Sequence, residues 1–66
     1  MINYEPLWKT LKNKKISTYY LINKGVSKNT IYRLKRNMPI TTLTLNTLCN
    51  LIDCVPFDII GYVKDK

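Results

Sequence analysis

The sequence has 66 residues, of which 45% are hydrophobic and 23% charged, so it has room for one small domain, predicted to span residues 1–66, and for little substrate cleft. It contains no histidine, which excludes any mechanism that needs an imidazole base or ligand. A formal net charge of +7 on so short a chain predicts a polyanionic partner.

Apolar residues recur at helical spacing and predict five helices, over residues 4–13, 17–24, 28–36, 42–53 and 56–61. Side chains that can accept an orphan N–H stand at or just before the start of the first four helices: Asn3, Ser17, Ser27 and Thr41. The threonine-rich start of the fourth segment also fits a strand locally, but the length of its apolar stripe favours a helix. The expected inward-facing residues are Leu7, Trp8, Leu11, Leu21, Ile31, Leu34, Leu45, Leu48, Cys49 and Ile52.

Three residues are expected to separate these helices. Gly25 ends the second helix, because glycine adopts a positive φ without steric cost. Pro39 ends the third helix, because the residue before a proline is disfavoured in the α region. Pro56 suits the first position of a short fifth helix.

Charge is divided unevenly along the chain. Residues 1–37 hold nine Lys and Arg against the single acid Glu5, a net +8, whereas residues 38–66 hold two Lys against three Asp, a net −1. A uniformly solubilising surface would not divide in this way, although lysine-rich proteins are common and chance is the alternative. The cationic part coincides with the first three helices.

The second and third helices, joined by a tight glycine turn, form a helix-turn-helix. This arrangement suits the major groove of DNA, which is about 12 Å wide and admits one helix. Asn can hydrogen-bond adenine, Arg can bind guanine with two hydrogen bonds, and a tyrosine can stack on a thymine methyl or reach a phosphate. The outward residues of the third helix, which also fit a merely solvated face, are Lys28, Asn29, Tyr32 and Arg33.

Two segments resemble the Cro/repressor-type (Xre-like) helix-turn-helix family. The first is Ile16-Ser17 with Gly25-Val26-Ser27-Lys28-Asn29-Thr30-Ile31-Tyr32-Arg33-Leu34, and the second runs from Pro39-Ile40-Thr41 to Asp58-Ile59-Ile60. The resemblance covers residues 4–62. It implies an all-α fold, a compact five-helix domain of the lambda-repressor-like type that reads operator DNA with its third helix.

The same resemblance implies which residues contact DNA. Lys28, Asn29, Tyr32 and Arg33 match the base-reading positions of the family, while Ser17, Thr18, Thr41 and Thr42 match phosphate-binding positions at helix starts. Four more phosphate contacts are expected on electrostatic grounds alone: Lys15, Lys35, Arg36 and Asn37.

The implied function is that of a sequence-specific regulator of transcription that binds double-stranded DNA. Repression by occlusion is the simpler mechanism for a chain without an activation domain. Such proteins commonly bind DNA as dimers, so a homodimer on a palindromic operator is expected. The candidate interface residues are Phe57, Ile60, Tyr62 and Val63, of which Phe57 and Ile60 are better explained by packing within the core.

No signal peptide or membrane-spanning stretch is evident, so a cytoplasmic location without membrane contact is expected. Cys49 and Cys54, without histidine or a third cysteine, predict small core residues rather than a zinc site or a disulfide. No metal, cofactor or small-molecule ligand is expected.

Other functions remain open at this stage. The first alternative is a protein-interaction module, such as an antitoxin or accessory factor with secondary DNA binding. A single-stranded nucleic-acid binder could use the five Tyr, Trp8 and Phe57 for stacking, but most aromatics fall on predicted buried stripes. A membrane-surface helix would need one segment that is both strongly basic and amphipathic. An enzyme is disfavoured because no Ser or Cys has a base partner.

Overall fold

The structure, a computed structural model, describes residues 1–65. Within them, none of the helices has the length and apolar character needed to cross a membrane. The described elements in chain order are β1 (Ile2–Asn3), α1 (Glu5–Lys14), α2 (Thr18–Asn23), α3 (Lys28–Lys35), α4 (Thr42–Ile52), a 3-10 turn (Pro56–Asp58) and β2 (Gly61–Tyr62).

Four of the five predicted helices are present in the described chain, with ends within one or two residues of those expected. The predicted fifth helix over 56–61 is wrong, because that segment forms one 3-10 turn over Pro56–Asp58. A helix of so few residues is marginal by itself. The chain then leaves the turn at Gly61 to pair with the N-terminus, which stops the helix from continuing.

A two-stranded ribbon joins the two ends of the chain and corrects the all-α prediction. β1 and β2 run antiparallel, with Ile2 opposite Tyr62 and Asn3 opposite Gly61. Strands of two residues are too short to show the alternation that predicts a strand. Gly61 lets this segment approach the start of α1 closely, since a Cβ there would lie 2.7 Å from the Asn3 Oδ1 atom and 3.1 Å from the Pro6 Cδ atom.

The hydroxyl caps predicted from sequence are confirmed at three helices. The side-chain oxygens of Ser17, Ser27 and Thr41 each accept a hydrogen bond at 3.1 Å from the backbone N–H three residues later. At α1 the prediction is wrong by one residue, because Tyr4 occupies the cap position. The Asn3 side chain still accepts from the backbone N–H of Glu5, at 3.1 Å.

All four α-helices end through a residue with positive φ. At each end, the following N–H donates to the carbonyl five residues earlier, which satisfies an orphan helix acceptor. Gly25 was predicted for this role and is confirmed at φ 107°. The other three positions carry side chains that strain this conformation: Lys15, Asn37 and Asp53.

The core confirms the inward residues of the first four helices. Leu45, Cys49 and Trp8 are half-buried at its edge. Tyr4, Val26 and Ile59 are buried as well, although the spacing did not single them out. Within residues 1–65, the buried residues of the core are Tyr4, Leu7, Leu11, Leu21, Val26, Ile31, Leu34, Leu48, Ile52 and Ile59.

Two expectations about apolar residues are wrong. Phe57 was assigned to the core and is instead 88% exposed, because the 3-10 turn points it away while Ile59 fills the interior. The sequence also predicts most aromatic residues on buried stripes, yet Tyr19, Tyr20 and Tyr62 are exposed. Tyr32 is exposed as predicted. The helical stripes are narrow enough for leucine and isoleucine to fill them.

Two titratable groups lie at the edge of this core. Burial raises the pKa of the Tyr4 phenol, partly offset by the backbone of Ile40. Burial also raises the pKa of the Cys54 thiol to about 11, with further increases from the neighbouring Cys49 and Asp58. Both cysteines are free and half-buried, in agreement with the prediction that they are small packing residues.

Candidate nucleic-acid interface

The turn between α2 and α3 fixes the angle at which the two helices meet. The N–H of Gly25 donates to the Ile22 carbonyl at 3.1 Å, and the N–H of Val26 donates to the Leu21 carbonyl at 3.0 Å. The side chains of Val26 and Leu21 are both buried in the core, so apolar packing reinforces these backbone hydrogen bonds. Ser27 then caps α3 directly.

One face of α3 packs inward and the other is open to solvent. Ile31 and Leu34 are buried and tie the helix to the core. All four predicted base-reading residues are exposed. Because an α-helix turns about 100° per residue, they share one arc of about 140°. This recognition edge consists of Lys28, Asn29, Tyr32 and Arg33.

Among residues 1–65, no carboxylate forms an ion pair with the recognition edge. Within residues 1–65, the ion pair that forms joins the Met1 ammonium to Asp65, at 3.1 Å. Lys14, outside the edge, donates to the backbone carbonyl of Asp53 at 2.9 Å. The positive charges of α3 therefore remain available to an external anion.

A contact that the sequence analysis missed lies on the same helix. The guanidinium of Arg36 stands over the Tyr32 ring, 5.0 Å from its centroid. A similar pair on α2 places the Lys24 ammonium 5.5 Å from the centre of the Tyr20 ring. Both pairs are four residues apart, and that spacing was the sequence signal that could have revealed them.

The predicted phosphate-binding residues fall into separate groups. Asn37, Thr41 and Thr42 are brought together, since they line one groove of about 310 Å³ between the end of α3 and the start of α4. Lys15, Ser17 and Thr18 lie at the junction of α1 and α2. Lys35 and Arg36 are exposed at the end of α3.

Three of these side chains also have structural partners. The hydroxyls of Ser17 and Thr41 cap their helices. The Asn37 side-chain oxygen accepts from the backbone N–H of Tyr4, at 3.2 Å, which links the end of α3 to the N-terminal segment. A role of these residues in DNA binding stays a prediction.

A groove between the starts of α3 and α4 contains a residue that sequence reasoning did not select. Leu43 is 73% exposed and lines this groove together with Ser27, Thr30 and Thr44. Its position outside the apolar stripe of α4 was the available signal. The start of α4 is thus a neighbour of the start of α3.

Two helices joined by a capped glycine turn, with a cationic outer edge on the second, define a helix-turn-helix of the DNA-binding class. The sequence matches the family model of the Cro/C1-type HTH DNA-binding domain over residues 6–65, and the chain belongs to this family. The resemblance inferred from the sequence is confirmed.

One solved structure extends this result to the whole fold. The crystal structure of the transcriptional regulator VanUg, Form II, is similar with a TM-score of 0.87 and 29% sequence identity, over 97% of this chain and 87% of that chain. No curated protein matches the chain in sequence.

Proposed function

We propose that this protein regulates transcription by binding a specific double-stranded DNA sequence, with α3 in the major groove. The observation that carries the proposal is the recognition edge: exposed, free of carboxylate partners within residues 1–65, and held at a fixed angle by the Gly25 turn. Membership of a DNA-binding family supports it. Occlusion of a promoter is the simplest mode, so we propose that it acts as a repressor.

Base discrimination is assigned to the recognition edge. A guanidinium such as that of Arg33 can donate two hydrogen bonds to guanine, and the Asn29 amide can pair with adenine in the same way. Each good pair of this type contributes about 1–3 kcal/mol of discrimination. Lys28 stands at the N-terminal end of α3, which is the part of a recognition helix that enters the groove most deeply.

Affinity without sequence preference is assigned to the groups around that edge. Thr41 and Thr42 stand at the start of α4, where free backbone N–H groups of a helix N-terminus could donate to a phosphate oxygen. Lys15, Ser17 and Thr18 would contact the backbone on the α2 side, and Lys35 and Arg36 at the end of α3. The salt slope is the fall in the logarithm of the binding constant per unit rise in the logarithm of salt concentration. Each phosphate that the protein neutralises increases this slope by about 0.9.

A homodimer on a palindromic operator would double the sequence read by one helix. Tyr62 and Val63 are exposed beside the chain termini, as an interface requires. The two half-sites would lie about 34–36 Å apart, or at a multiple of that distance.

Selection from a random pool of duplex DNA tests the proposal. We expect one enriched motif with two inverted half-sites and binding that weakens steeply with salt. Retention of DNA without any enriched motif would contradict sequence-specific binding.

A protein-interaction module is the second candidate, because Val55 and Phe57 are exposed apolar side chains at the 3-10 turn, outside α3. Weak binding to duplex DNA with little salt dependence would favour this alternative. A Phe57→Ser variant, with the recognition edge intact, should bind DNA as the wild type does if regulation through DNA is the main function.

A further inference from the structure

Tyr32 and Arg36 form a unit on the outer face of α3. The guanidinium centre lies 5.0 Å from the ring centroid, within the distance over which a cation is attracted to an aromatic face. Tyr32 is 52% exposed, so the pair is formed at the surface rather than in the core. The ring face that contacts Arg36 is not free to stack on a base.

The position of Arg36 in the helix indicates what it can contact. It follows the last residue of α3 as its C-terminal cap, whereas Lys28 begins the helix. In a helix that enters the groove by its N-terminal residues, the C-terminal end stays nearer the sugar-phosphate backbone. A planar, permanently charged guanidinium suits a phosphate oxygen at that place.

From these contacts we propose that Tyr32 is a positioning residue: its ring holds the Arg36 guanidinium against α3 so that it meets a DNA phosphate. This role rests on the proposed function, and it changes the assignment of Tyr32 within the recognition edge. Tyr32 then acts on affinity for all duplexes, whereas a base-reading residue acts on preference among them.

The Tyr20–Lys24 pair on α2 provides an internal comparison. It has the same spacing and residue order, at 5.5 Å. Its cation is a flexible ammonium rather than a planar fork, so the ring orders it less. A substitution of Tyr20 therefore controls for the loss of an exposed tyrosine from a helix.

A double-mutant cycle on duplex DNA tests the role. The variants are Tyr32→Leu, Tyr32→Phe, Arg36→Ala and the Tyr32→Leu/Arg36→Ala double variant, with Tyr20→Leu as the matched control. The probes are the best duplex recovered from a random pool and an unrelated duplex of equal length. Thermal unfolding of each variant checks that α3 stays folded.

The positioning role predicts that Tyr32→Leu weakens binding about threefold on both duplexes, a loss typical of an exposed cation–π contact. Tyr32→Phe keeps the ring and should bind as the wild type does. Tyr32→Leu should have no further effect once Arg36 is alanine. Arg36→Ala should reduce the salt slope by about 0.9.

Other results would overturn the role. Loss of affinity confined to the selected duplex would make Tyr32 a base reader, and equal loss in Tyr32→Phe would assign the effect to its hydroxyl. Independent effects of the two substitutions would show that the ring does not act through Arg36. A wild-type protein that binds neither duplex would overturn the proposed function itself, and this role with it.

Discussion

α3 and α4 begin with the same local structure and end with different surfaces. The caps Ser27 and Thr41 each accept an N–H at 3.1 Å and also pair with the hydroxyl of the threonine three residues later. Each helix buries two residues in one core. α3, with the sequence KNTIYRLK, carries three cations on its outer side, whereas α4, TLTLNTLCNLI, carries no charged residue.

The difference separates the residues that form each helix from the residues that determine what its surface can bind. Caps and apolar spacing determine where both helices start and how they pack. Charge on the outer face then distinguishes α3, which is suited to bind a polyanion, from α4, which has no charged residue.

The largest expected effect concerns the apolar core that α3 and α4 share. Leu34→Ala in α3 and Leu48→Ala in α4 should each lower the free energy of unfolding by about 2–5 kcal/mol, because both side chains are fully buried. Urea unfolding measures this. Leu43→Ala, at an exposed position of α4, should change stability by less than about 0.5 kcal/mol. A small effect at only one of the two buried leucines would break the equivalence.

DNA binding should separate the two helices. Arg33→Ala removes a two-bond contact and should weaken binding to the selected duplex by about 1–3 kcal/mol, with relaxed preference at one base position. Asn46→Ala, on the exposed side of α4, should leave affinity unchanged. Fluorescence anisotropy on selected and unrelated duplexes provides both values. Equal loss on both duplexes would refute base reading by Arg33.

The caps should again behave alike. Ser27→Ala and Thr41→Ala each remove the acceptor for an orphan N–H and should lower stability by about 1 kcal/mol. Thermal unfolding measures the change, and Thr41→Ser serves as the control because it retains the oxygen. If only the α3 cap mattered, the start of α4 would have to be held by something other than Thr41.

Residues with positive φ at the ends of α1 and α4 allow effects on stability to be separated from effects on DNA binding. Lys15 adopts φ 57° at the end of α1, a conformation that glycine adopts more easily. Lys15→Gly should raise the free energy of unfolding by about 0.5–1 kcal/mol. It should also weaken binding to all duplexes and reduce the salt slope by about 0.9.

Asp53→Gly is the matched control for Lys15→Gly, since Asp53 ends α4 at φ 58° in the part of the chain without excess positive charge. It should also stabilise the protein, but leave the salt slope unchanged. A sequence-selective effect of Lys15→Gly would show that its role has been misplaced.

A further effect on stability is expected at alkaline pH. The pKa of Tyr4 and that of Cys54, at about 11, are both raised in the folded state. The unfolded chain therefore loses these protons first, so stability present below about pH 9 should decline as pH rises through the folded pKa values. Urea unfolding between pH 7 and 10.5 measures the decline. Cys54→Ala should reduce it, and an unchanged decline would rule out a Cys54 contribution.

Local rules explain why much of the fold could be predicted. Three hydroxyl caps, the Gly25 turn and the inward leucines all depend on residues within one helical turn, where spacing carries the signal. The recognition edge follows from the same periodicity. The sequence predicts that its four side chains face solvent, and in the structure all four are exposed.

The features that were not predicted depend on contacts between distant parts of the chain. β1 pairs with β2 across almost the whole chain length, and Asn37 binds the Tyr4 backbone 33 residues away. The orientation of Phe57 follows from which neighbour, here Ile59, reaches the core. No short window of the sequence contains that information.

The most direct test of the account is to map the surface that DNA contacts in the folded protein. Backbone amide chemical shifts would be followed by NMR as the selected duplex is added. The account predicts that the largest changes fall on residues 28–36 and the starts of α2 and α4, with little change at the 3-10 turn and the β ribbon. Changes concentrated around Phe57 and Tyr62, with α3 unaffected, would contradict it.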